Sequence, residues 1–138
     1  MGTVLQVRAY LPAQPTPARE TEIARHLEAA IAEIRRLEAL MTTWQPTSDI
    51  SKVNAQAGKD RVTVSPEVFE VLTRSQEFAQ KSQGAFDISF YALRGLWNFD
   101  EEVTPTIPDA KELKSRLPLI NHRNIQLDPK LQTAELAK

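Results

Sequence analysis

The sequence predicts an α+β fold, with long helices packed on a short mixed or antiparallel sheet. Two observations predict the helices: an extended apolar run with three- and four-residue spacing, and a second helix bounded by clear start and stop signals. A third predicts the sheet: short period-two stretches near both ends, placed without βαβ regularity. At 138 residues the chain is long enough for one domain with a real core.

The elements follow in order. From Thr3 to Leu11 the apolar residues Leu5, Val7, Ala9 and Leu11 alternate with Gln6, Arg8 and Tyr10, the signature of a half-buried strand. Pro12 to Pro17 holds three prolines and reads as an exposed loop. A long helix is predicted from roughly Glu20 to Met41, with Ile23, Leu27, Ala30, Ile31, Ile34, Leu37 and Met41 on one stripe. His26 falls off that stripe and reads as a solvated surface residue. Thr47 or Ser48 caps a short turn carrying Ile50 and Val53. Arg61 to Val64 reads as a short strand.

Ser65-Pro66-Glu67 opens the second helix, with Ser65 as cap and Pro66 at the first helical position. Val68, Val71, Leu72 and Ala79 carry it to about Ser82, and Gly84 fits a left-handed terminal cap. Ala85 to Ser89 reads as an extended loop or one strand turn. Phe90 to Trp97 is expected to form a brief helix burying Phe90, Leu93, Leu96 and Trp97. Glu101 to Pro105 is loop, and Pro108 to Leu113 starts another helix with Pro108 early. Ile125 and Leu127 mark a strand, Pro129 a turn, and Leu131 to Leu136 a partner strand. A hairpin begins there, and nothing remains to complete a sheet around it.

Composition narrows the function classes. Seventeen basic against eighteen acidic residues, a net charge of -1, give no electrostatic case for nucleic acid or an anionic membrane. Two histidines and no cysteine exclude Cys/His zinc sites, cysteine nucleophiles and disulfides. No apolar run approaches the ~20 residues of a transmembrane helix, and no signal peptide precedes Met1. There is no Walker loop, GxGxxG, HExxH or GxSxG elbow.

Four stretches remain informative. Met1-Gly2-Thr3 opens the first strand. Leu40 to Asn54 reads LMTTWQPTSDISKVN, Ser82 to Ser89 reads SQGAFDIS, and Leu96 to Phe99 reads LWNF. In order and spacing these resemble segments of the ApbE-type FAD:protein FMN transferases, across essentially the whole chain. Residues 1–138 then correspond to the N-terminal portion of that domain. The resemblance implies an enzyme family that uses FAD as substrate. Its members move FMN from FAD, by a phosphoester bond, to a threonine of a target flavoprotein, with Mg2+ assisting. It implies that Met1, Trp44, Ala85, Phe86 and Asp87 sit against the FAD. Physically, Trp44 can present its ring to a flat heterocycle, Ala85-Phe86 can offer backbone groups, and Asp87 can accept hydrogen bonds. Family members usually work outside the cytoplasmic membrane, in the periplasm or as lipoproteins.

Blander roles stand beside these. Trp44 and Phe86 can be core anchors, Asp87 can cap the following turn, and Ser48, Ser51 and Asn54 can build local turn bonds. Trp97 and Phe99 read as packing residues. Ser89 replaces the family's threonine, Phe90-Tyr91 its Gly-Pro, and Asn98 its glycine. The family's later DLGG-type segment, with most Mg2+ ligands, is absent. No catalytic residue or metal ligand is therefore assigned within the chain, and weak or no transfer is expected from it alone. A flavin- or protein-binding module without turnover is the alternative. Exposed strand edges near the C-terminal end are expected to favour association.

Overall fold

The computed structural model describes residues 4–97 and 107–137. The first helix, α1, spans Pro17–Met41. Thr16 caps it by accepting from the Arg19 amide at 3.3 Å, and Pro17 takes the first helical position, where no donor is needed. The helix therefore starts before the expected Glu20, and the last proline of the Pro-rich stretch belongs to it. His26 is exposed, as expected.

The turn after α1 is fastened from both sides. The Thr42 amide donates to Glu38, closing the helix. The Thr42 carbonyl then accepts from the Ser48 and Ser51 hydroxyls. Ser48 also caps α2, Asp49–Ala55, by accepting from the Ser51 amide at 3.0 Å. Ser48, rather than Thr47, is the cap.

Strand β1 is Val62–Thr63, and α3 is Pro66–Lys81 with Pro66 in its first turn. Ser65 stands at the cap position, but its hydroxyl makes no capping bond. Asp49 ties that end instead, its Oδ2 accepting from the Ser65 amide at 2.8 Å. At the other end the left-handed residue that stops α3 is Gln83, φ 54, one position before the expected Gly84. The Gln83 amide reaches Gln80 and the Gly84 amide reaches Ala79, the paired bonds of a Schellman ending. Gly84 itself is also left-handed, at φ 86.

A 3-10 helix, Ile88–Leu93, follows. It starts earlier than the expected Phe90–Trp97 helix and buries less. Leu96 is buried, whereas Phe90 is 65% and Trp97 38% exposed. Asn98, Phe99 and Glu101 to Pro105 lie outside the described residues. Helix α4, Ala110–Arg116, is capped by Asp109, which accepts from the Lys111 and Glu112 amides. Pro108 therefore precedes the cap instead of opening the helix. Strands β2, Ile125–Asp128, and β3, Thr133–Leu136, form the expected antiparallel hairpin, with Leu127 opposite Ala134. β3 also pairs with β1, Val62 opposite Ala134, giving the order β1-β3-β2. Arg61 clips the sheet, its Nε 2.8 Å from Glu135 and Nη1 3.8 Å from Asp128.

The expected strand Thr3–Leu11 does not form among its described residues: Val4 to Leu11 adopts no regular structure, and Leu5, Val7 and Leu11 are exposed. Alternation makes a segment competent for a sheet, but its amides and carbonyls still need a neighbouring strand. Each described strand pairs elsewhere.

The core gathers Val53, Val64, Val68, Leu72 and Ala134, with Val68 and Ala134 fully buried. From α1 it takes only Leu40 and Met41. None of α1's residues is fully buried, so Ile23, Leu27 and Ile31 remain half-covered. The fold is α+β, helix-rich with one small antiparallel sheet.

Candidate flavin-nucleotide site

The fastened turn between α1 and α2 holds Trp44 at its tip. The Trp44 amide donates to Thr42 Oγ1 at 3.2 Å, and its side chain is 78% exposed. That rules out the core-anchor role. The ring borders a shallow groove of about 340 Å3 whose lining includes Thr43, Pro46, Ser51, Asn54 and Tyr91. Pockets that take small ligands run from about 300 to 1,000 Å3, so this open groove lies at the small end of that range.

Tyr91 comes from the 3-10 helix, which thereby joins the site. Arg94 closes the link: its guanidinium lies 4.8 Å from the centre of the Trp44 ring and 5.2 Å from that of Tyr91. It also donates to the Tyr91 hydroxyl. Arg116 of α4 fixes the Arg94 backbone by donating to its carbonyl at 2.9 Å. Arg94 escapes sequence reasoning because a contact fifty positions away leaves no local spacing pattern.

Ala85 and Phe86 form the bend after α3. Their amides are engaged within the loop: Ala85 donates to the Ser82 carbonyl at 3.1 Å and Phe86 to Ser82 Oγ at 3.0 Å. The expected free backbone donors are thus already used. Phe86 is 46% exposed and meets Phe78 edge-on, with ring centres 6.4 Å apart.

Asp87 is saturated. Its Oδ1 accepts from the Ser89 amide at 2.9 Å and the Ser89 hydroxyl at 2.6 Å. Its Oδ2 accepts from the His122 amide at 2.7 Å, with His122 Nδ1 3.7 Å away. Burial pushes its carboxyl up, but the bonds from Ser89 and His122 outweigh that and hold it below the usual carboxylate range. Asp87 therefore caps the Ile88–Leu93 helix, as its blander role requires. Ser89 uses its hydroxyl here, and it also accepts from the Asn121 amide at 2.8 Å. Asp49 behaves alike: burial raises its carboxyl, yet the Ser65 and Lys52 bonds leave it lowered.

Met1 lies outside the described residues. The Trp44 turn and the helix capped by Asp87 are joined through Arg94 and Tyr91. Phe86 shares a ring contact with α3 instead. Among the described residues no group of three or more His, Asp or Glu could hold a metal ion. With Asp87 and Asp49 already bonded, the described residues do not fit a Mg2+ site, for which hard oxygen ligands must be free. No helix among them is long and apolar enough to cross a membrane.

Comparison with known proteins gives a consistent answer. The ApbE family model matches residues 1–138. The chain is 33% identical over 129 residues to the FAD:protein FMN transferase of Treponema pallidum, covering 92% of this chain and 33% of that protein. It is 25% identical over 140 residues to the FAD:protein FMN transferase of Haemophilus influenzae, covering all of this chain and 39% of that one. The fold is similar to the ApbE protein of Thermotoga maritima, with a TM-score of 0.70 and 23% identity over 80% of this chain and 36% of that one. It is also similar to the flavinyl transferase ApbE of Pseudomonas stutzeri in its apo form, with a TM-score of 0.69 and 21% identity over 85% of this chain and 38% of that one. The chain spans about a third of the length of the relatives it matches.

Proposed function

The chain belongs to the ApbE family, and from that premise we propose that it is the FAD-facing, N-terminal part of a Mg2+-dependent flavin transferase. The reaction moves the FMN portion of FAD to a threonine hydroxyl of an acceptor flavoprotein. A P–O bond of the diphosphate breaks, AMP leaves, and the threonine proton is released as the phosphoester forms. The observation that carries the reading is Trp44: a large aromatic ring, mostly exposed, on a turn locked by Ser48 and Ser51, beside a shallow groove. Exposing so large an apolar side chain on a rigid mount suits stacking against a planar ligand.

The other residues take supporting places. Ala85 and Phe86 would border the nucleotide through their exposed bend. Asp87 would act by shaping that bend, since both its oxygens are engaged. Met1 is proposed at the same site on family resemblance. Mg2+ would supply charge stabilisation of the transferring phosphoryl group. Among the described residues no group of three or more His, Asp or Glu could hold it. The parent protein would act in the periplasm or on the outer side of the cytoplasmic membrane, which fractionation of cells expressing it would check.

A binding module without turnover is the second reading, favoured by the absence, among the described residues, of a group that could hold a metal ion. One experiment separates them. FAD is titrated against the chain while flavin fluorescence is read; then Mg2+ and a threonine-bearing acceptor peptide are added and the peptide is weighed by mass spectrometry. Quenching that weakens at least several-fold in Trp44→Ala, with no peptide flavinylation, is expected. Binding untouched by Trp44→Ala would sink the Trp44 assignment. Flavinylated peptide from this chain alone would show that it is catalytically complete.

A further inference from the structure

We infer that Arg94 is a positioning residue of this site: its guanidinium covers one face of the Trp44 ring, and a ring that stacks on that face must displace it. The inference rests on the reading of Trp44 as a ring platform. Arg94 and Trp44 come from separate segments, yet the guanidinium lies 4.8 Å from the indole centre. A planar cation at that distance takes the place, on the ring it faces, that a flat heterocycle needs.

The placement is built. Arg94 ends the Ile88–Leu93 helix, with its amide donating to the Tyr91 carbonyl at 2.9 Å. Gly95 follows in a left-handed conformation, φ 79, turning the chain away directly after it. Arg116 donates to the carbonyls of Arg94 and Ala92, so the backbone that launches the side chain is tied to α4. The side chain alone is left to move. Tyr91, 5.2 Å from the guanidinium, gives it a second aromatic face beside the same groove.

Displacement has a direction. Once off Trp44, the guanidinium remains tethered by Tyr91 at the rim of the groove. Its charge then stands near whatever the bound ring carries. A neutral ring gains at most a weak cation–π contact from it, whereas a ring bearing phosphate gains the stronger ion pair. Arg94 thus discriminates: it weakens binding of a bare ring and recovers the loss when phosphate comes with it.

The test uses riboflavin and FAD as probes, with the full chain in a Trp97→Phe background so that Trp44 is the only indole. Acrylamide quenching of Trp44 fluorescence, without ligand, should rise in Arg94→Ala because the covering cation is gone. Riboflavin affinity should rise by about two- to five-fold, the worth of an exposed cation–π contact. The preference for FAD over riboflavin should fall by at least that factor. A merely structural role would weaken both ligands together. Unchanged riboflavin affinity in Arg94→Ala, with binding still dependent on Trp44, overturns this inference and leaves the site intact. Loss of both ligands in wild type overturns the site and the inference together.

Discussion

At Asp87 one carboxylate joins segments 35 positions apart, capping the Ile88–Leu93 helix and holding the His122 amide. Its bonds favour the ionised form, so its carboxyl sits below the ordinary aspartate value of 3.8. The folded group thus holds its proton less tightly than the unfolded one. Its contribution to stability is full above the unfolded value and is lost as pH falls through the folded one. Asp87→Asn keeps one acceptor but turns a donor toward the His122 amide. A loss of about 1–3 kcal/mol at neutral pH is expected, with a shallower decline in acid, read by urea denaturation between pH 3 and 7. The capping half of this role is legible in the sequence, because aspartate two positions before serine favours such a turn. The His122 half is not, since nothing local marks a bond across that separation. Trp44 divides the same way: its place after a helix is readable, but its exposure depends on the Ser48 and Ser51 bonds to Thr42.

The helices show where local signals suffice. The Ser65-Pro66 pair marks a start because a missing amide donor costs nothing at the first helical position; Thr16-Pro17 is the same kind of pair, but among three close prolines it reads as loop, and the expected start falls at Glu20. The end of α3 shows how they slip by one residue: two left-handed positions occur in a row, and the first is Gln83. A residue with a Cβ costs about 1–2 kcal/mol there relative to one without. Gln83→Gly should therefore stabilise the chain by up to about 1 kcal/mol, whereas Gly84→Ala should cost a similar amount. A Cβ at Gly84 would meet no atom within 4 Å, so that cost comes from the backbone alone. Thermal unfolding of the two variants should shift in opposite directions. The first predicted strand fails for a different reason. Periodicity reports which face a segment would bury, and says nothing of whether a partner strand lies beside it.

Across the whole molecule, packing is uneven. The core lies between α2, α3 and the sheet, and α1 reaches it only through its last turns. Stability should follow that division. Val68→Ala, at a fully buried position, should cost about 1.5–3 kcal/mol. Leu27→Ala, on the half-covered stripe of α1, should cost less than about 1 kcal/mol. Equal losses in chemical denaturation would mean that α1 is packed along its length. The fold class and most elements were readable because they rest on local periodicity and caps. The pairing of β1 with β3 and the Arg94 contact were not, because both depend on how distant segments meet.

That pairing also bears on how the chain is made. Ala134 on the central strand is fully buried, and Arg61 beside β1 finds its Glu135 partner 74 positions later. At about 5–20 residues per second, synthesis keeps the first half of this pair waiting roughly 4–15 s for the second. When that interval opens α1 and α2 are already made, and α3 is added within it, with Val62, Val64 and Val68 open to water. The nascent chain therefore passes through a window of seconds in which its central apolar surface depends on chaperones or on its own helices for cover.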